Sequence, residues 1–164
     1  MFELHVEKKE DYWGVEALFD LCFTPGRFAL SSYRLREGHS PIPELCITAK
    51  SEEDFLIGAI RYWPAEIEKH MVLFLGPIAV HPTYQGEGLG AALIRTSIKR
   101  ARELNWRRVL MVGDEVYYRR FGFRKIDGII FPPPTNPDRI LGIELDELAW
   151  EGVLGKVFPL ATKK

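Results

Sequence analysis

Gln85-Gly86-Glu87-Gly88-Leu89-Gly90 sets three glycines at alternate positions, and the chemistry that spacing offers is the binding of a phosphate. A phosphate reaches several consecutive amides only where no Cβ intervenes and φ can be positive. Ahead of the glycines, Leu75, Ile78 and Val80 read as an apolar strand, which His81-Pro82-Thr83 stops because proline cannot donate to a ladder. Behind them, Leu89, Leu93, Thr96, Arg100 and Leu104 recur at helical spacing, with Arg95, Lys99, Arg102 and Glu103 on a solvated face. Strand, glycine turn and helix start aim free N–H groups and the positive end of the helix dipole at an anion. A Walker loop requires Gly-Lys-Ser/Thr where this chain has Gly90-Ala91-Ala92. A dinucleotide fingerprint requires GxGxxG opening a βαβ unit, whereas GEGLG is spaced GxGxG and lies mid-chain. A glycine-rich turn with no ligand is the other reading of these six residues alone.

The elements around this loop predict one domain, 1–164. Phe2, Leu4 and Val6 alternate with polar residues as an opening strand, and Tyr12, Val15, Leu18, Phe19 and Cys22 predict a helix ended by Pro25-Gly26. A second short helix and an extended lead-in are expected over 27–44, followed by strands at 45–49, 55–63 and 71–80. After the long helix come a buried strand, 108–112, and a two-turn helix, Glu115 to Phe121, capped by Asp114 and closed by Gly122. Strands are expected from Phe123 and over 140–145, with a Pro-rich loop reaching Asp138 and a short helix and strand in the tail. The order βααβββαβαββ gives an α/β (α+β) fold, a central mixed sheet with helices on both faces.

Composition narrows the function classes. With 164 residues, 46% apolar and 27% charged, the chain is expected to be an ordinary globular domain with a sizeable core. A net charge of −1 without a basic block argues against nucleic acid as the main partner. No apolar run reaches the length of a membrane span, and the N-terminus lacks a signal-peptide core, so a cytoplasmic location is expected. Cys22 and Cys46 sit in apolar contexts and read as buried thiols in a reducing compartment, with a catalytic thiolate as the lesser reading. Four scattered histidines and two distant cysteines offer no metal-ligand spacing.

Two motifs in the expected order carry a resemblance. Gln85-x-x-Gly88-x-Gly90, after a strand and before an amphipathic helix, resembles the pyrophosphate-binding motif of the GCN5-related N-acetyltransferases (GNAT). Tyr118-Arg119-Arg120-Phe121-Gly122-Phe123 resembles that family's Tyr-x-x-x-Gly-Phe signature. RLREG at 34–38, LGPIAV at 75–80 and GDEVYYRRFGF at 113–123 are similar to a bacterial subgroup of predicted acetyltransferases. The resemblance implies a mostly antiparallel sheet in which a splayed strand forms the acetyl-CoA cleft. It also implies transfer of acetyl from acetyl-CoA, leaving CoA, directly to the amine of a small molecule or peptide in a ternary complex. A homodimer is compatible with it. The rival from another class is a non-catalytic acyl-CoA-binding sensor; a second rival binds ATP through the glycine loop.

Under that resemblance the cofactor contacts are Ile78, Ala79, Val80, Gln85, Gly86, Glu87, Gly88, Leu89, Gly90 and Tyr118, and the catalytic candidates are Tyr118 and Asp114. An amide near Ile78 to Val80 would stabilise a developing oxyanion. Gly76-Pro77 is consistent with a disturbed ladder there, or with a mere kink. A phenol, with pKa about 10, holds its proton at neutral pH and can give it to a thiolate. Tyr117 and Tyr118 project about 100° apart on a helix, so the motif spacing selects Tyr118 as donor and leaves Tyr117 to pack or line the acceptor pocket. A half-buried core tyrosine is the bland alternative for each. Many family members have Asn where this chain has Asp114, which would bind a water or the amine, cap the short helix, or do both. His81 is expected to be structural, and Glu115, Glu66 and Glu68 are weaker candidates near the acceptor site. Acceptor recognition falls to 27–40 and 131–138, where Arg27, Arg34 and Arg36 either hold a substrate carboxylate or phosphate or pair with surface acids.

Overall fold

The computed structural model describes residues 1–23, 35–133 and 135–160. Strand β1 (Phe2–Val6) leads through a 3-10 turn, Lys9–Asp11, into helix α1 (Tyr12–Phe23). Strands β2 (Ile47–Ser51), β3 (Leu56–Ile67) and β4 (His70–Val80) follow, then helix α2 (Leu89–Glu103) and strand β5 (Arg108–Val112). Helix α3 (Glu115–Tyr118) and strands β6 (Arg124–Lys125), β7 (Ile129–Ile130), β8 (Ile140–Glu144) and β9 (Gly155–Pro159) complete the chain. The sheet order is β1-β2-β3-β4-β5-β8-β6, with β9 against the end of β3 and β7 beside β9. Within the main path only β4 and β5 run parallel.

Several expectations shift. The helix expected within 27–44 falls mainly on residues outside those described, as do Arg27 and Arg34; what is described is a turn at 35–38 and a 3-10 turn, Pro43–Leu45. The tail forms successive turns over 145–152 rather than a helix, then β9 pairs with Ala65 to Ile67. The capped helix after β5 is one α turn, continued by a 3-10 turn, Arg119–Phe121, that ends on Gly122 at φ 102°.

Helices cover both faces of the sheet. Helix α1 buries Val15, Leu18 and Phe19 against Ala59 and Ala79, while Tyr12, expected inside, remains 44% exposed. Helix α2 is rotated from the expected stripe: Leu89, Leu93, Ile94, Ser97, Ile98 and Ala101 are buried, and Thr96 and Arg100 are exposed. Burying a Leu or Ile side chain is worth about 1.5–3 kcal/mol, so the phase that buries Ile94 and Ile98 outweighs one built on Thr96 and Arg100. Gly58 permits the close approach, since a Cβ there would stand 3.1 Å from Leu89 and 3.2 Å from Leu93.

A buried polar link fixes α2 on the sheet. The Tyr62 and Ser97 hydroxyls are 2.7 Å apart, and Ser97 Oγ lies 2.7 Å from the Leu93 carbonyl and 3.0 Å from that of Ile94. Ser97 has one hydroxyl proton and gives it to the helix, so Tyr62 donates to Ser97. Burial pushes the Tyr62 phenol well above its usual range. Ser97→Ala strands that donor and is expected to cost about 1–3 kcal/mol in denaturant unfolding. Adding Tyr62→Phe should recover most of the loss; losses that simply add would show the link to be idle.

Candidate active site

The site begins with one extra residue in β4. Ile60 pairs with Ile78 and Tyr62 with Leu75, so two steps of β3 face three of β4, a bulge at Gly76-Pro77. Side-chain direction inverts across it: Leu73 and Leu75 face the α2 side, and so do Ile78 and Val80. The Trp63 indole donates to the Gly76 carbonyl at 2.6 Å, which holds the bulge. Pairing between β4 and β5 is confined to Leu73–Val109 and Phe74–Leu110. Beyond those pairs the strands separate, and a cleft of about 600 Å³ opens between them, walled by Gly76 to Ile78 on one side and Met111 to Asp114 on the other.

Backbone groups facing this gap follow from antiparallel alternation. His81 N donates to Ile57 O at 2.8 Å, and Ala59 pairs with Ala79 two residues away, so Ala79 directs its amide into the ladder. Ile78 and Val80 therefore turn their N–H groups away from β3, toward the gap. The Ala79 side chain packs under α1 instead. The Val80 carbonyl receives Gln85 Nε2 at 3.3 Å and Cys22 Sγ at 3.4 Å, so Gln85 ties the glycine loop to the strand end.

The loop carries the conformation its glycines allow. Gly86 has φ 87° and Gly88, the N-cap of α2, has φ 79°, with open space where either Cβ would project. Gln85, Gly86, Glu87 and Gly88 are exposed, whereas the Leu89 side chain is buried in the core, which leaves only its backbone to the loop. A Cβ on Gly90 would lie 3.7 Å from Val80 and 3.9 Å from the Tyr117 hydroxyl. Tyr117 thus joins the helix start to the cleft.

Tyr117 and Tyr118 both line the cleft, in edge-to-face contact at 4.9 Å. Tyr118 is set by Phe121 at 6.2 Å and by the fully buried Phe123 at 6.1 Å. Gly113 completes its seat: a Cβ there would come within 2.8 Å of the Tyr118 ring and 2.9 Å of Met111. Burial foremost, then the neighbouring Tyr117, raises the Tyr118 phenol above its ordinary value, and the Arg139 guanidinium opposes the rise.

The remaining candidates separate by partner. Asp114 borders the cleft and caps α3, its Oδ1 accepting from Val116 N at 3.0 Å. Glu115 accepts from Lys125 N at 2.8 Å, and His81 Nδ1 accepts from Thr83 N at 3.2 Å; both bonds hold local backbone. Glu66 lies in the hairpin register between Met71 and Phe158, and Glu68 packs on Gly155, so neither borders the cleft. Burial raises both thiols, Cys46 to about 12, which opposes a thiolate. Among the described residues no group of three His, Cys, Asp or Glu could hold a metal ion, and no helix is long and apolar enough to cross a membrane. Sequence reasoning missed Trp63, Gly113 and Arg139. A glycine next to the helix cap was a visible signal for Gly113; nothing local marked the other two.

Residues 12–123 match the acetyltransferase (GNAT) family. The Escherichia coli K12 N-acetyltransferase YjhQ is 31% identical over 131 residues, covering 77% of this chain and 72% of that protein. YhbS from the same strain is 29% identical over 73% of this chain and 72% of its own length. The crystal structure of E. coli YhbS in complex with CoA superposes with a TM-score of 0.83 at 25% identity, covering 97% of this chain and 89% of that one. A Brucella melitensis family member solved with acetyl-CoA has the same fold, with a TM-score of 0.74 at 23% identity over 98% of this chain and 97% of the other. Matched across more than half its length and aligned end to end with these folds, the chain belongs to the GNAT acetyltransferase family.

Proposed function

We propose that this protein transfers acetyl from acetyl-CoA to the amine of a small molecule or peptide, directly, within a ternary complex. One observation carries the reading: the gap between β4 and β5 holds a seated tyrosine, and the positive-φ glycine loop at the start of α2 meets its wall where Gly90 approaches Val80 and the Tyr117 hydroxyl. The loop suits a pyrophosphate, because Gly86 and Gly88 leave open space where side chains would project. The Ile78 and Val80 amides suit an extended arm that adds to the strand edge, and one of them suits a carbonyl oxygen gaining charge. Acetyl-CoA supplies the activated thioester.

Tyr118 holds a proton on its hydroxyl for the departing sulfur, and burial keeps that proton in place at neutral pH. Asp114, already capping α3, has one carboxylate oxygen left to hold a water or the acceptor amine. A lysine-like amine needs about 4–5 kcal/mol to become neutral at pH 7 and an α-amine only about 1, so a base matters mainly for the first class. Two unbridged thiols favour a reducing compartment, the cytoplasm.

Tyr118→Phe should lower turnover by roughly 10²–10⁴ with little change in acceptor KM, while Tyr117→Phe keeps most activity. The reverse ranking would transfer the proton role to Tyr117. Because its folded pKa is raised, Tyr118 stays protonated to higher pH than a free phenol, so loss of rate on the alkaline side should begin above pH ~10. That limb should vanish in Tyr118→Phe.

Acetyl-CoA should raise the melting temperature, since it binds only the folded cleft. In Gly88→Val the ligand-induced rise should disappear, read against the variant's own ligand-free melt because φ 79° strains any side chain. A preserved rise would remove the loop from the cofactor site. Isotopic acetyl transfer to a panel of amines separates the enzyme from a sensor that binds acetyl-CoA without consuming it.

A further inference from the structure

We infer that the protein carries a second ligand site, at the end of the sheet remote from the acetyl-transfer cleft, for the phosphoryl group of a small molecule. Strands β4 and β5 run parallel, so they begin together at one end of the sheet and part at the other. A second cavity, of about 380 Å³, adjoins the cleft and shares Arg36 and Pro77 with it; its arginines, Arg36 and Arg61, stand among Glu7, Glu16 and Glu37. A third, of about 490 Å³, lies where β4 and β5 begin, and no carboxylate lines it. Lys69 comes to its wall from the turn before β4, Asn105, Trp106 and Arg107 from the connection between α2 and β5, and Arg108 from the first position of β5.

Arg108 carries the inference. It is only 4% exposed, yet it forms no ion pair among the described residues, which include every Asp and Glu of the chain. Its Nε donates to the Ala149 carbonyl at 2.7 Å and its Nη1 to the Met71 carbonyl at 2.6 Å. Both acceptors are neutral, so they orient the guanidinium without offsetting its charge. Nη2 has no partner among the described residues and is not sealed from solvent. Glu144, opposite Arg108 in the β5–β8 ladder, turns its Oε2 to Trp150 N at 3.3 Å. Burial foremost, then the neighbouring Arg107, lowers the Arg108 pKa, and no acid opposes them. A buried cation is ordinarily paired, because neutral dipoles alone do not repay its lost hydration.

Around Arg108 the wall adds donors. Lys69 is exposed and forms no ion pair among the described residues, and the Asn105 amide and Trp106 indole N–H have no partner there either. Arg107 gives its Nε to Asp146 Oδ2 at 3.1 Å and keeps both terminal nitrogens. Donors thus come from three segments. A phosphoryl group presents three outward oxygens and engages several of them, whereas a carboxylate fills one fork. The half-buried Trp106 ring and Met71 also line the cavity and suit the organic body of a phosphate ester.

The test is an NMR titration of the nitrogen-15-labelled protein at constant ionic strength, so that general screening does not change. Phenyl phosphate, inorganic phosphate and benzoate are each added, and the readout is the amide signals of 69–71 and 104–108 with the Trp106 indole signal. Residue resolution keeps this site apart from any phosphate at the glycine loop, so the outcome does not depend on the acetyl-transfer reading. Both phosphates should move these signals to saturation, and benzoate should bind roughly tenfold more weakly, about the worth of one charge-assisted hydrogen bond. Tighter binding of phenyl phosphate assigns the site to an ester; equal binding of the two assigns it to free phosphate. Lys69→Gln, in an exposed turn, should weaken phosphate binding by roughly tenfold. Arg108→Met should abolish it, and because Arg108 is buried, Lys69→Gln decides if that variant fails to fold. Shifts that never saturate, benzoate binding as tight as the phosphates, or an affinity unchanged in Lys69→Gln overturns the inference.

Discussion

One extra residue in one strand organises the site. A regular β4 would keep pairing with β5, and its unshifted alternation would turn the Ile78 and Val80 amides into the β3 ladder. The bulge at Gly76-Pro77 shifts the register, inverts the side-chain alternation and releases the strand edge. Such an irregularity persists only when the surroundings determine it, and here the Trp63 indole does so from the paired strand. The same displacement brings Pro77 against the wall that Arg36 occupies. The freed strand edge and the position of Pro77 in the cleft wall are thus two consequences of a single local defect.

Rigid packing on the α2 side of the sheet makes the opened edge useful. Helix α2 is clamped by Ile94, Ile98 and the Tyr62–Ser97 link, so its N-terminus holds the glycine loop at a fixed height above β4. Across the gap, Phe121, Phe123 and Gly113 seat Tyr118 with little freedom. Arg95 stacks over Phe121 at 5.0 Å and couples the two assemblies. On the other face, buried Arg61 joins Glu7, just past β1, and Glu16 on α1, with the nearest contact at 2.6 Å. That ion cluster binds the first strand and helix to β3 and stands in the wall of the second cavity.

The glycine loop and the tyrosine were legible because both are local. Positive φ favours glycine, so the loop stood out by its spacing, while Tyr118 stood out because the stretch from Tyr118 to Phe123 resembles a family signature. The strand order from β1 to β5 and β8 followed from alternation and breakers for the same reason. The α2 stripe was misjudged because Thr96 and Arg100 share a helical period with Leu89, and only the sheet beneath decides which period is buried. Trp63 and Arg139 were invisible, since their roles exist only once β3, β5 and the turn before β8 meet. Arg36 was legible as a residue type and not as a position: a surface ion pair and a cleft wall look identical until the chain folds. The tail strand, β9, was expected, but its partner was not, because the pairing depends on a distant edge of β3 rather than on its own pattern.

The central claim is that the bulge frees two specific amides of β4 for the cofactor. Residue-resolved amide hydrogen exchange with and without acetyl-CoA measures this directly. The Ala79 amide, held by the ladder, should exchange slowly in both states, while those of Ile78 and Val80 should exchange quickly alone and slow markedly when ligand is bound. If Ile78 and Val80 are unchanged at saturating acetyl-CoA while slowing appears elsewhere in the chain, the cofactor does not use this strand edge and the account is wrong.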